Sequence, residues 1–267
     1  VLAVAAGGGG SGDGAAGAGW SAGWPEASAA LPRGAVVVVL LGLDRPARQA
    51  EWAGLLDGAE RERAARFATA ALRARFVAAH GQLRELLGAC AGRPAAALAF
   101  ARGARGKPAL VDGGGLEFSL SHAGGLALCA LARGRRVGVD LEPLDPGRAG
   151  ADPLALAATC CAPEELAALR RLPAGVLADA FLGCWTRKEA FAKATGAGLL
   201  APLADFAVSV PPEAPRLLRP PRSEPARWSF APLPPLLGHA AALVVEGGGA
   251  ELVTCRADGP GDVPQGA

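Results

Sequence analysis

Asp140 and Glu142 stand two residues apart in RRVGVDLEPL, where Val137, Val139 and Leu141 alternate with Gly138, Asp140 and Glu142. As a strand, this segment puts both carboxylates on one face, roughly 7 Å apart at the backbone. Like charges so placed repel unless a cation lies between them. Hard oxygen ligands of this kind suit Mg²⁺, which takes one or two carboxylates together with substrate phosphates. The plainer alternative is a solvent-facing strand edge that turns at Pro143.

A second cluster lies in FLGCWTRKEAFAKATGAGL, from Phe181 to Leu199. At 100° per residue, Phe181, Trp185 and Ala192 define an apolar arc flanked by Leu182, Cys184 and Phe191, with Thr186, Arg187 and Ala190 pointing the other way. Lys188 and Glu189 fall inside the arc, where a solvated charge does not belong. Glu189 offers a third carboxylate. It also stands four residues before Lys193, the order of an ordinary helix-stabilising pair, and a lysine on an apolar arc can snorkel.

SLSHAGG puts Ser119 and Ser121 on one strand face and His122 at the strand's end. Adjacent serine and histidine rarely form a catalytic triad, and no G-x-S-x-G elbow is present. His122 is then a structural hydrogen-bonding group or a donor to a phosphate. GARGKP offers Arg105 and Lys107 among glycine amides, either a phosphate clamp or an ordinary basic loop. Arg61, Arg63, Arg66, Arg73 and Arg75 read as the solvated face of a helix. Neither G-x-x-x-x-G-K-S/T nor a strand-bound G-x-G-x-x-G occurs, so a nucleotide P-loop and a Rossmann site are both unsupported.

The elements that must position these residues mix helices with hairpin-like strands. AVVVVLL (35–41) is a buried strand, 59–87 one or two helices, and AAALAFARG (95–103) a strand. LEFSLSHAGGLALCALARGRRVGVDLEPL reads as three strands separated by glycine turns. Helices over 152–158 and 163–172 precede the helix of Lys188, and 205–210, 227–233 and 239–247 read as closing strands. This order favours an α+β fold over a doubly wound parallel sheet, with two halves of similar content joined near Gly134.

The chain has 267 residues, about half of them hydrophobic, and a net charge of +2, too near neutral for a general nucleic-acid binder. Its six cysteines form no C-x-x-C pair, and three histidines are poor material for zinc, so a reduced, cytoplasmic protein is expected. No signal peptide or membrane span is expected. No methionine occurs, so the true start is expected elsewhere than Val1.

Taken together, VGVDLE and, about 45 residues later, WTRKEAFAKATGAGL resemble the 4′-phosphopantetheinyl transferase superfamily, whose signature is G-[IV]-D-x-E followed by W-x-x-K-E-x-x-x-K. GKPAL, FSLSHAGGLALCAL, RFVAAHGQLRELLG (75–88) and CCAPEELAAL (160–169, with Glu165 at the usual acidic place) resemble further motifs of its Sfp-type branch. The likeness covers about residues 35 to 250. Two departures stand out. Thr159, Cys160 and Cys161 replace an arginine and two aromatics, and Glu60 stands where similar proteins often carry a basic residue.

The resemblance implies two α/β halves related by a pseudo-twofold axis, with the active site in the cleft between them. The expected boundaries are a Gly/Ala-rich disordered tail at 1–30, an N-terminal half at 31–134, a C-terminal half at 135–256 and a loose tail at 257–267. It implies a Mg²⁺ site at Asp140, Glu142 and Glu189. It implies coenzyme A contacts from Arg75, Lys107, Ser121, His122, Asp140, Lys188 and Lys193, with Glu189, Lys193 and His122 as the catalytic groups. The implied activity is transfer of 4′-phosphopantetheine from coenzyme A to a serine of an apo acyl or peptidyl carrier protein, by a monomer. A catalytically silent coenzyme- or carrier-binding module and another magnesium-dependent phosphoryl-transfer enzyme are the alternatives.

Overall fold

A computed structural model describes residues 19–21, 31, 34–103, 106–145, 147, 152–198, 202–222, 224 and 227–257. Strand β1 (Ala35–Gly42) is followed by helices α1 (Gln49–Leu55), α2 (Gly58–Ala65) and α3 (Ala70–Ala91) and a short ribbon of β2 (Phe100–Arg102) with β3 (Pro108–Leu110). Then come β4 (Leu116–Ala123), β5 (Leu126–Arg133) and β6 (Val137–Pro143). The second half of the chain holds α4 (Pro153–Cys160), α5 (Pro163–Leu169), α6 (Ala174–Thr195), β7 (Ala207–Val208), β8 (Leu217–Arg219), β9 (Trp228–Ala231), β10 (His239–Glu246) and β11 (Glu251–Arg256). The fold is mixed α+β.

Two sheets carry most of it, in the orders β11-β1-β5-β4 and β6-β10-β9. The unbroken valine run of β1 is explained by burial on both faces. Val37, Val39 and Leu41 pack with Phe76, Leu83 and Leu87 of α3, while Val36, Val38 and Leu40 pack with Val137, Val139, Leu141, Leu243 and Val245 of the other sheet. The far face of that second sheet, through Ala242 and Val244, meets Phe181, Ala190, Phe191 and Ala194 of α6. The order of layers is therefore helices, sheet, sheet, helices, and each sheet has a helix of 22 residues against its outer face.

Strand β11 pairs in parallel with β1, from Ala35 opposite Glu251 to Leu40 opposite Arg256. The last strand thus belongs to the first sheet, and a division into 31–134 and 135–256 does not follow the sheets. Ser21 bridges to Cys255 on β11, and the Ala257 amide donates to the carbonyl of Leu40. Gly19, whose carbonyl accepts the Thr254 hydroxyl, and Trp20 are described as well, while residues 1–18, 22–30 and 258–267 lie outside the described ones, as does Arg105. Only Phe100–Arg102 of the strand expected over 95–103 forms, because Ala95–Ala97 winds into a 3₁₀ turn and Arg84 takes the carbonyls of Ala95 and Leu98. Among the described residues no helix is long and apolar enough to cross a membrane.

Candidate active site

The two sheets meet at their edges, β4 against β6, and two serines join them. The hydroxyl of Ser119 accepts the Val139 amide at 3.1 Å, and that of Ser121 accepts the Leu141 amide at 3.3 Å. Hydroxyls two residues apart on β4 thus satisfy alternate N–H groups along the open edge of β6, which would otherwise be left unpaired in a buried seam. On the outer side of β6, α6 lies against the strand backbone. A Cβ on Gly138 would overlap the Ala190 carbonyl oxygen and the Ala194 amide, so glycine is what lets the helix descend.

This close approach brings Glu189 and Lys193 of α6 to Asp140 and Glu142 of β6 and to Ser121 and His122 of β4. Together with Trp185 they line a pocket of about 510 Å³. Asp140 is 3 % exposed. Its Oδ1 accepts the Lys193 ammonium at 2.6 Å and the Ser121 hydroxyl at 2.8 Å, and Lys193 also donates to Ser121 at 2.8 Å. Its Oδ2 is buried and has no hydrogen-bond partner among the described residues. Burial, with the charges of Asp140 and Glu142 added and that of Lys193 opposing, raises the Glu189 carboxyl above the ordinary glutamate value. Withdrawal from water, then the charges of His80, Lys193 and Arg63, lower the His122 imidazole below its ordinary value.

Arg63 on α2 and His80 on α3 are brought to β4 by tertiary packing, which the spacing of the chain does not mark. The tautomer of His80 is held by Glu60, whose Oε1 lies 2.9 Å from Nδ1. Glu60 faces inward, where it completes a capping box with Asp57 and accepts the buried Arg84. Its carboxylate is therefore engaged by groups of the interior.

Three expected contacts lie off this pocket. Lys188 has a side chain 0 % exposed, and its ammonium is bound by both oxygens of Glu165, at 2.8 and 2.7 Å, and by the Phe206 carbonyl. Glu165 also accepts the Ala162 and Val208 amides. Lys188 is thus a buried cation of the core, with no surface to offer coenzyme A. Lys107 donates to the carbonyls of Val137 and Ala194, and Arg75 forms a two-pronged pair with Asp44 beside the β4–β5 turn. The side of α6 opposite the apolar arc is buried too: Arg187 is held by Ser209 and the Glu213 carbonyl, and Thr186 and Ala190 face inward.

Among the described residues, the one group of three metal-ligand atoms within 4.8 Å of one another is Cys161, Glu165 and Cys184. Lys188 already supplies the cation there. Asp140, Glu142 and Glu189 line the pocket together without forming such a group. Their chemistry still fits a hard divalent cation: three carboxylates, one of them with an orphaned buried oxygen and one pushed toward its neutral form.

Residues 136–244 match the model of the 4′-phosphopantetheinyl transferase superfamily. HetI, a 4′-phosphopantetheinyl transferase of Nostoc, is 39 % identical over 211 residues, covering 78 % of this chain and 86 % of HetI. A 4′-phosphopantetheinyl transferase of Bacillus subtilis is 33 % identical over 101 residues, 38 % of this chain and 41 % of that protein. The chain belongs to the 4′-phosphopantetheinyl transferase superfamily. Membership places it, at the level of the family, among transferases that load phosphopantetheine onto carrier proteins.

Proposed function

We propose that this chain transfers the 4′-phosphopantetheine group of coenzyme A to a serine of an apo acyl or peptidyl carrier protein and releases adenosine 3′,5′-bisphosphate. The observation that carries the reading is the meeting of Asp140, Glu142 and Glu189 with Ser121, His122 and Lys193 in one pocket on the β4–β6 seam. The paired sheets, each backed by a long helix, support two halves related by pseudo-twofold symmetry with the site in the cleft between them.

Asp140, Glu142 and Glu189 would hold Mg²⁺, which when bound supplies positive charge to the pyrophosphate and the leaving side. Lys193 and His122 flank the carboxylates, where Lys193 offsets phosphate charge as it develops and the His122 ring donates a hydrogen bond to it. Ser121 keeps the Asp140 carboxylate turned into the pocket through its 2.8 Å hydrogen bond. The carrier serine attacks the β-phosphorus, its oxygen forms the new P–O bond, and the bond to the bridging pyrophosphate oxygen breaks. Glu189 accepts the serine proton, directly or through water, a role suited to a carboxyl raised toward neutrality.

The test is mass spectrometry of an apo-carrier protein incubated with the chain, coenzyme A and Mg²⁺. A gain of one phosphopantetheine supports the reading. An unmodified carrier with coenzyme A still bound would instead mark a silent binding module.

A further inference from the structure

Lys107 lies at the head of β3, in the first half of the chain, yet its ammonium is spent on the second half. It donates to the carbonyl of Val137, the first residue of β6, at 3.1 Å, and to that of Ala194, in the last turn of α6, at 3.4 Å. Its stem runs against Gly196: a Cβ on that glycine would stand 3.5 Å from Cδ of Lys107. Gly196 has φ 68° and closes the helix in the left-handed conformation. The last carbonyls of a helix have no partner within it, and a cation there also complements the helix dipole. The Gly196 and Ala197 amides cover Lys193 and Ala192. The Ala194 carbonyl is covered from the other half of the molecule. Glu117 adds a carboxylate 3.7 Å from the ammonium. The side chain is 21 % exposed and does not line the Asp140 pocket.

We propose that Lys107 is a latch between the halves, a positioning residue that fixes the last turn of α6 and, through it, Lys193. The residue it holds, Ala194, directly follows Lys193, whose ammonium must reach both Asp140 Oδ1 and Ser121 Oγ across the same seam. A frayed last turn would let that ammonium leave its two acceptors, and the pocket would lose its alignment without losing any group that lines it. The kinetic consequence rests on the coenzyme reading above, while the structural consequence does not.

The test compares the parent, Lys107→Met (stem kept, donors removed) and Lys107→Arg (donors restored) in the full chain. Amide hydrogen exchange is followed at Gly196 and Ala197, and KM and kcat are measured with coenzyme A and with dephospho-coenzyme A. In Lys107→Met the two amides should exchange on the order of tenfold faster, the loss of a charged hydrogen bond. KM should rise for both coenzymes in parallel, and Lys107→Arg should recover most of both effects. Three outcomes overturn the proposal. One is collapse of the discrimination between the two coenzymes with exchange unchanged, which makes Lys107 a phosphate contact. Another is a lowered melting temperature with kinetic constants unchanged and exchange raised evenly along the chain. The third is no change at all. If the parent shows no transfer, the exchange comparison still decides, and if Lys107→Met does not fold, Lys107→Gln carries the same comparison.

Discussion

Gly138 lies directly beneath Ala190, with no room for a side chain between strand β6 and helix α6. A Cβ on Gly138 would overlap the Ala190 carbonyl oxygen and come within 2.8 Å of the Ala194 Cα. The obstacle is backbone on both sides, so no rotamer change relieves it. Gly138→Ala should therefore push α6 off β6, cost about 3 kcal/mol or more, and separate Glu189 and Lys193 from Asp140. Gly175→Ala, near the start of the same helix with nothing within 4 Å of its added methyl, should be neutral or slightly stabilising. Thermal melts and transfer rates of the two variants check this. Equal behaviour would mean the helix is not seated on Gly138.

Glu189 separates two roles for its helix. As a partner of Lys193 along the helix, it would stabilise by about 0.5 kcal/mol or less. The ammonium of Lys193 instead bonds Asp140 and Ser121, and burial with the charges of Asp140 and Glu142 raises the Glu189 carboxyl. A carboxyl whose folded pKa is raised works against stability at pH above that value, and the cost fades as pH falls through it. Without metal, then, Glu189→Gln should melt at or above the temperature of the parent at neutral pH. With Mg²⁺ the parent should gain more than the variant, and transfer by the variant should fall on the order of a hundredfold or more. A transfer rate within a few-fold of the parent would leave Glu189 as a structural residue.

Asp140 gives a sharper reading of the metal. Asp140→Asn keeps the size and one acceptor for Lys193 but removes the charge beside the orphaned Oδ2. The variant should fold, lose the Mg²⁺-dependent rise in melting temperature, and show almost no transfer. A variant as active as the parent would remove Asp140 from the metal set.

How far the site could be read from the chain depends on how local its cause is. The shared face of Asp140 and Glu142 follows from the two-residue period of a strand, and the family motifs around it follow in order. Lys188 does not, because an apolar-arc lysine looks the same whether it meets a ligand or a buried glutamate. The deciding partner, Glu165, sits on a separate helix. The partners of Lys107 are hidden in the same way, since its acceptors on β6 and α6 are set by tertiary packing. Strand β11 leaves no such local mark, because it contributes one edge to a sheet built at the other end of the chain. The alternation in β4 is legible in its residues, but that Ser119 and Ser121 stand in for a ladder is not.

The buried pair of Lys188 and Glu165 predicts an asymmetric response. Lys188→Met leaves Glu165 as an uncompensated carboxylate with no exposed surface and should cost about 3–5 kcal/mol. Adding Glu165→Gln removes that charge and should restore part of the loss, although the Ala162 and Val208 amides then have a weaker acceptor. Denaturant unfolding of the two single variants and the double variant measures the coupling. If Lys188 served the coenzyme instead, its loss would raise KM and leave stability unchanged.

Glu60 predicts how the first half responds to acid. Burial alone would raise its carboxyl, but the hydrogen bonds from His80, the Asp57 amide and Arg84 outweigh it and hold the folded value below the ordinary 4.5. Between those two values the unfolded chain binds a proton at Glu60 that the folded chain does not, so stability rises with pH there. The contribution is complete above about 4.5 and is lost as pH falls through the folded value. Asp44 beside Arg75 and Glu246 beside Arg136 are depressed in the same sense, so the parent loses stability on acidification from several groups at once. The Glu60 share is isolated by difference. Glu60→Gln should lower stability at neutral pH by about 2 kcal/mol or more, because Arg84 has a side chain 0 % exposed and keeps only Asp57 as a charged partner. The gap between variant and parent should then narrow as pH drops below 4.5. Urea unfolding of both proteins from neutral pH down to about pH 3 measures it, within the range where acid unfolding is governed by such carboxylates. A gap that stays constant across that range would show that Glu60 has the same proton affinity in both states.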